Sequence, residues 1–548
     1  MTRIALSRRP GDRVLAVDGG AESELALHDL PAYVAEREAE RPRWVWDDTA
    51  RWYPPLLAAG IRIERCQDLR LCHQLLRGAP AVDGRHLASE QSDAWDRLRP
   101  AGPVEPTLFL ADDSTEYLRA DLEDARQLAA VAASPEADRL GLLLAAESSG
   151  ALVAAEMTFA GMPWRAELHD RLLTDLLGPR PLRGGRPQRL EELLVEVRDA
   201  FGTPTLNPDS QAELLAALKR AELVATDTRA RTLRALDHPG IEPLLRYKQL
   251  AQLLATNGWS WLDQWVSGGR FRPSYQPAGS VTGRWSSNGG GALSVPIQVR
   301  SAATADDGWS LVVADVAQLE PRVLAGMSGD RALVRSARGA DLYQGMVDDG
   351  AVASRQDAKL GLLGAMYGAT TGESGRLLDA LNRRYPDAFG LVGDAAKAGE
   401  RGEVVRTLLG RGSPSIGDAW DQDPDEPATD VAAMDGRRRA FGRFTRNFVV
   451  QGTGAEWALC WIADLRNRLW RLGGSGPLVE RPHLVFFLHD EVVVHTPSDL
   501  AEAVSVAANE AAATAARLVF RDVPVDFPLN VSVVQSYAEA GKPGAAVT

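Results

Sequence analysis

Two runs of β-branched and aromatic residues, WSLVVAD (309–315) and LVFFLHDEVVVH (484–495), constrain this chain most. Each is apolar enough for a strand buried on both faces, and each is broken by acid. Asp315 ends the first, while Asp490 and Glu491 interrupt the second. An ionised carboxylate is costly to bury without a partner, so the fold must turn these acids to water or give them cations. The second run reads either as a hairpin with a solvated polar tip or as two strands meeting at a cleft. Asp315 alone reads equally well as the cap of the helix AQLEPRVLAGM that follows. Together, two acids from separate strands can hold hard divalent cations. Mg²⁺ prefers oxygen ligands and usually takes one or two carboxylates plus substrate phosphates. A pair of such ions about 3.5–4 Å apart would stabilise both attacking and leaving oxygens of an in-line phosphoryl displacement.

The bulk numbers narrow the class. A chain of 548 residues is too long for one core, so about two to four domains are expected. No apolar run approaches the roughly 18 residues of a membrane span, and MTRIALSRRPGDR lacks the apolar centre of a signal peptide. Cys66, Cys72 and Cys460 fit neither a disulfide framework nor a zinc spacing, which points to a reducing cytoplasm. The net charge of −13 (61 − 74) argues against a simple DNA coater, but leaves room for a local basic groove. Lysine is scarce: Lys219, Lys248, Lys359, Lys397 and Lys542 are the five, so 56 of the 61 basic residues are Arg. Each Lys is therefore a candidate for a specific task.

Residues 1–135 alternate short apolar stretches with helical segments, and 136–270 are helical around a Gly- and Pro-rich loop at 178–188. A turn-rich segment, SVTGRWSSNGGG, precedes the strand at 309–315. Mainly helical residues at 340–410 lead into the acidic loop 413–430 and a basic helix. In RQDAKLGLLGAMYG, Arg355, Lys359, Leu363 and Tyr367 recur every four residues and form a stripe on one face. Two cations followed by an apolar and an aromatic group match the order of a nucleoside triphosphate, phosphates then sugar and base. An amphipathic surface helix with snorkelling basic residues would read the same way.

With these anchors in place, the chain from about residue 150 onward resembles family A DNA polymerases, the family of bacterial DNA polymerase I and its Klenow-type fragments. The segment DVAQLEPR is similar to the palm motif. The resemblance makes Asp315 a metal ligand with the Val316 carbonyl beside it, Gln318 part of the nucleotide site, and Glu320 the residue that blocks a ribose 2′-hydroxyl. Arg355, Lys359, Tyr367 and Gly368 match the fingers motif. His489, Asp490 and Glu491 match the His-Asp-Glu motif, with Asp490 the second metal ligand and His489 near the primer end. TGRW places Arg284 at the primer–template minor groove. RFTRNFVVQGTGAEW places Arg443, Asn447 and Gln451 on a DNA-contacting helix. TLLGR (407–411) resembles a fingers segment, and LRYKQLAQL a thumb segment offering Lys248 to a phosphate. The chain departs from the family at Val316-Ala317, at Pro321, at Tyr343 in place of a His, and at Leu363 in place of an aromatic ring that packs on the sugar.

The resemblance implies an α/β multidomain fold, a right hand of palm, fingers and thumb behind a ribonuclease H-like domain of 3′–5′ exonuclease type. The expected boundaries are 1–135 for that domain, 136–270 for connecting helices and thumb, 271–340 and 441–548 for the palm, and 341–440 for the fingers. Two Mg²⁺ ions, with Mn²⁺ able to substitute, would serve a monomer that binds primer–template DNA and dNTPs in the cytoplasm, away from membranes. Repair or replication gap filling is the expected role. The N-terminal motifs are incomplete. Tyr117 and Asp121 keep one, Asp48 and Trp52 occupy the key positions of another, and Asp18 and Glu22 have the wrong spacing for the third. The expectation is a first strand truncated away, exonuclease activity lost, a domain kept as scaffold, and no room for a 5′-nuclease domain. A ribonucleotide-tolerant polymerase and a non-catalytic DNA-binding scaffold are the alternatives.

Overall fold

A computed structural model describes residues 2–89, 92–97, 117–182, 184–287, 295–368, 372–417 and 431–541. The apolar stretch expected at 107–111 and most of the acidic loop at 413–430 lie outside the described residues.

The first strand is present, contrary to expectation. Arg3–Arg9 is the middle strand of a five-stranded sheet, antiparallel to Arg13–Asp18, which pairs with Ala21–Ala26. Arg43–Trp46 and Arg65–Asp68 extend its other side in parallel. Alternation along RIALSRR explains the position: Ile4 and Leu6 pack with Trp44, Trp46 and Tyr53, while Ala5 packs on the opposite face with Val45 and Trp95. The apolar stretch RIALS forms the strand, which carries Ser7, Arg8 and Arg9 rather than the acids of an Asp-x-Glu pair.

A second sheet holds the two constraining runs. Trp309–Val316 lies between Glu491–Pro497 and Leu529–Val534, with His483–Leu488 outermost, all antiparallel. Val312, Ala314 and Val316 face the main core, whereas Leu311 and Val313 face a second core built on Trp164, Trp261 and Phe271. Burial on both faces accounts for the unbroken apolar run.

One helix of 42 residues, Val431–Leu472, organises the molecule and runs unbroken across the expected fingers–palm boundary at 440/441. It packs on Pro386–Glu400, on Ala501–Phe520 and on Ala137–Ala160. Near its end Arg466, fully buried, bonds the Glu156 carboxylate (2.6 and 2.8 Å) and the carbonyls of Ile63 (2.5 Å) and Glu64 (2.8 Å). Tyr53 of the first domain donates to the same Glu156 (2.6 Å), which locks the N-terminal sheet to the rest. Helix Ala137–Ala160, which supplies Glu156, is long and apolar enough to cross a membrane, a property the residue-by-residue count of apolar runs misses. Here 72% of its most apolar window is buried inside the protein.

Three histidines are buried in neutral form. His169 accepts from Trp164 Nε1 (3.2 Å) and donates to the Asn257 carbonyl (2.9 Å); His483 donates to the Arg481 carbonyl (2.6 Å). His495 stacks on Trp309 at 4.4 Å beside Asp306. Burial pulls His169 and His483 down to about 4 and His495 to about 3. A histidine whose folded pKa lies below its unfolded value contributes stability above pH 6.5 or so, and that stability is lost as the pH falls. The histidine contribution to stability should therefore fall between pH 6.5 and 4.5, by at most ~1.4 kcal/mol per pH unit for each histidine in a urea titration, while the raised carboxyls of Asp68, Asp315 and Glu456 act in the opposite sense. His169→Gln should flatten the fall; an identical pH profile in that variant would show that His169 carries none of it.

Candidate active site

The acids of the second run sit at a tight turn at one end of the sheet. Leu488 pairs with Glu491, leaving His489 and Asp490 as the whole connection. The Asp490 N–H bonds back to the Leu488 carbonyl at 2.5 Å, and His489 has φ +53. A non-glycine residue at the centre of so tight a turn is strained, and such strain gathers at functional sites. The Val316 N–H donates to the Asp490 carbonyl at 2.9 Å. Asp315 lies across from Glu491 on one side and Asn530 on the other. Burial, then the charges of Asp490 and Glu491, push Asp315 up to about 6. Burial likewise raises Asp490 and Glu491. Glu491 is turned aside, accepting a hydrogen bond from Tyr537, whose ring lies 4.6 Å from the Arg300 guanidinium.

The stripe at 355–367 sits on helix Arg355–Tyr367, capped by Ser354 and ended by Gly368 at φ +76. Its other face, Ala358, Leu362, Ala365 and Met366, is buried. Arg355, Lys359 and Tyr367 are exposed and Leu363 is partly buried. Contacts join this helix to the segment that follows the acid-bearing strand. Tyr367 donates to Glu320 at 2.6 Å, and Arg284 pairs with the other oxygen of Glu320 at 2.6 Å. Arg355 pairs with Asp341 at 2.6 Å, and Asp341 accepts from Gln318 at 2.8 Å. Gln318, at φ +56, turns the chain from the strand into helix Leu319–Ser328. Pro321 falls in that helix's first turn, where no intrahelical N–H is needed.

Arg443, Asn447 and Gln451 lie four residues apart along the long helix, with Arg443 exposed and packed against Gly368. Arg446 on the same helix donates to the Ala365 carbonyl at 2.9 Å. Arg284 is held by a clamp that sequence reasoning missed. Thr407 and the Leu409 N–H bond the buried Glu456, and Arg411 pairs with the buried Glu147. The Arg411 guanidinium lies where a Cβ on Gly283 (φ +80) would stand, so the TGRW loop is pressed between it and the long helix. A weak signal existed: Gly283 beside a functional Arg, and the TLLGR segment itself. Lys248 is half-buried on Ile241–Asn257, away from this cluster in sequence. Lys397 forms an exposed pair with Asp394, so scarcity did not mark every Lys for a task.

In the N-terminal domain the acids of the incomplete motifs are met by arginine. Asp121 pairs with Arg119 (2.7 Å), which also binds Glu22 (2.6 Å); Asp18 meets Arg37 (3.5 Å), and Asp48 meets Arg70 (3.2 Å). Asp48 also caps helix Thr49–Ala58, and Trp52 is buried and donates to Asp47. Tyr117 is exposed. The strand residue that bonds the start of the Asp121 helix is Ser7, which accepts from Ala120 N at 2.9 Å.

The chain as a whole has the mixed α/β polymerase-domain fold. Its backbone matches the POL domain of Pol1 from M. smegmatis, solved with DNA primer–template and dNTP, at a TM-score of 0.69 and 18% identity, covering 98% of this chain and 96% of that one. The sequence model of DNA polymerase family A matches residues 185–539, and the chain belongs to that family. It is 27% identical over 405 residues to DNA polymerase I of Chloroflexus aurantiacus, covering 68% of this chain and 39% of that protein. It is 26% identical over 472 residues to DNA polymerase I of Pseudomonas aeruginosa, covering 78% and 46%. The chain therefore spans less than half the length of these two relatives.

Asp315 and Asp490 suit a hard divalent cation: both are oxygen donors, Asp315 is held uncomfortable by burial and by the charges of Asp490 and Glu491, and Asp490 by burial. A carboxyl whose folded pKa is raised above its unfolded value destabilises the fold once ionised. In metal-free buffer at pH 8, Asp315→Asn should thus be more stable than wild type by about 1 kcal/mol, after discounting for solvent screening. Millimolar Mg²⁺ should raise the melting temperature of the wild type and not of the variant. A variant less stable than wild type would show that the protein itself neutralises this charge.

Proposed function

We propose that this chain is a template-directed DNA polymerase that adds dNMP from dNTP to a primer 3′-hydroxyl. The observation that carries the reading is the convergence of Asp315 and Asp490 at one end of the sheet, with the Arg355–Tyr367 helix tied to the same end through Glu320 and Asp341. When bound there, two Mg²⁺ ions supply charge neutralisation for the attacking oxygen and the pyrophosphate leaving group. Asp315 and Asp490, with the Val316 carbonyl, would hold them, and Mn²⁺ would substitute. Arg355 and Lys359 bind the triphosphate, and Lys359 gives a proton to the departing pyrophosphate; positioning and charge do most of the catalysis in this chemistry. Tyr367 packs near the templating base. Arg284, Arg443, Asn447, Gln451 and His489 follow the primer–template, and Lys248 reaches a backbone phosphate from the thumb. Glu491, held by Tyr537, supports the turn that carries Asp490.

The N-terminal domain serves as scaffold without proofreading activity. Its acids are spent on arginine pairs, and Ser7 stands where the strand meets the Asp121 helix. We place the protein in the cytoplasm as a monomer in repair or replication gap filling. Primer extension on an end-labelled primer–template with Mg²⁺ tests these assignments. The wild type should extend only with dNTPs and leave the primer intact without them. Asp490→Ala should lose extension by at least about a thousandfold while still binding DNA. Extension by that variant would sink the metal assignment, and primer shortening without dNTPs would restore the exonuclease.

Leu363 favours a second reading, tolerance of ribonucleotides, because no ring packs on the sugar. Glu320, fixed by two hydrogen bonds, opposes it. Glu320→Ala should raise ribonucleotide incorporation relative to dNTP by tenfold or so, since a steric and polar block is removed. Equal discrimination in wild type and variant would assign the selection elsewhere.

A further inference from the structure

One carboxylate joins helix Arg355–Tyr367 to the turn that follows the Asp315 strand. Asp341 Oδ1 accepts from Gln318 Nε2 (2.8 Å) and from the N–H groups of Tyr343 (3.0 Å) and Gln344 (3.2 Å), capping helix Leu342–Asp348. Its Oδ2 receives Arg355 Nε at 2.6 Å. Gln318 closes the link by accepting the Leu342 N–H at 2.8 Å. Neither end of this bridge is free to drift on the palm side. Arg322, fully buried, donates to the carbonyls of Ala317 (2.9 Å), Ala337 (2.6 Å), Gly339 (2.9 Å), Ala340 (3.1 Å) and Asp526 (2.9 Å). That single guanidinium fastens the segment before Asp341 to the turn after Asp315.

Arg355, by contrast, is half exposed, on a long side chain that would otherwise sample many rotamers. Two contacts restrict it: the bond through Nε and the Tyr343 ring, 5.6 Å from the guanidinium carbon. Among the described residues neither terminal nitrogen of Arg355 makes a hydrogen bond. Engagement through Nε therefore leaves the outer edge of the fork for an anion, while its plane is already set.

We propose that Asp341 is a positioning residue for the incoming triphosphate, holding the Arg355 fork oriented before the nucleotide arrives, with Tyr343 as its floor. This rests on the reading of Arg355 as a triphosphate ligand. The ordering entropy of the side chain is met in the free protein, so it is not charged against nucleotide binding. An Arg fork gains more from such preorganisation than a point charge would. A competing role, in which Asp341 occupies Arg355 and must be displaced by the triphosphate, predicts the opposite sign.

Single-turnover incorporation of dTTP on a primer–template separates them, with the nucleotide Kd and the maximal rate measured for wild type, Asp341→Asn, Arg355→Ala and the double variant. Asparagine keeps a capping oxygen and removes the charge. Asp341→Ser, which also caps, is the second variant should the first fold poorly. The expected result is a Kd weakened about fivefold to tenfold by Asp341→Asn, with the maximal rate within about twofold. In the Arg355→Ala background the Asp341 substitution should add nothing. An unchanged or tighter Kd in Asp341→Asn, or additive losses in the double variant, would overturn the proposal. Arg355→Ala without effect on Kd would instead remove the underlying reading of Arg355, an outcome distinct from failure of Asp341 alone.

Discussion

The antiparallel pairing of Trp309–Val316 with Glu491–Pro497 sets Asp315 across from Glu491 and leaves Asp490 one residue into the turn. Side chains alternate between faces, so a slip of one residue would exchange Leu311 and Val313 with Val312 and Ala314 between two different cores. Both cores would have to be repacked. The apolar residues therefore enforce a register whose product is an uncomfortable cluster of charge. Hydrophobic burial, worth roughly 25 cal/mol per Å² of apolar surface, is the larger effect, and the electrostatic cost at one edge is tolerated because the sheet cannot move to relieve it.

Arginine then carries the polar side of the fold. Arg466 joins the first domain to the long helix, Arg411 fixes the TGRW loop, Arg322 ties the chain after Asp315, and Arg284 holds Glu320. Arg466 and Arg322 use the planar fork to satisfy several acceptors at once, which lysine cannot do. Removing one partner of such a buried pair typically costs about 3–5 kcal/mol, since the other charge stays behind unpaired. The Arg-rich composition is thus visible in the architecture as a set of bolts between segments far apart in sequence.

The parts of this arrangement that follow local rules were legible in the sequence. The two apolar runs, the four-residue stripe from Arg355 to Tyr367 and the carboxylates at the strand ends all announce themselves by periodicity or interruption. The hairpin reading of HDE matches the structure, in which His489 and Asp490 form a two-residue turn beside Asp315. Long-range pairings were not legible. Nothing near Arg411 in the chain points to Glu147, and nothing near Arg355 points to Asp341, since such contacts depend on tertiary packing. The apolar stretch RIALS was legible as well, but without an Asp-x-Glu pair nothing in it marked Arg3–Arg9 as the first strand of the N-terminal sheet.

The long helix touches both ends of this system. Arg446 reaches helix Arg355–Tyr367 at Ala365, and Arg466, twenty residues on, is clamped to the N-terminal domain. A helix rises 1.5 Å per residue, so the two anchor points stand roughly 30 Å apart on a stiff rod. A tilt of ~2° at one anchor displaces the other by about 1 Å, and an error of that size in a reacting group can reduce a rate by about a hundredfold. The N-terminal sheet is therefore the far mounting of a lever whose near end bears on the helix Arg355–Tyr367.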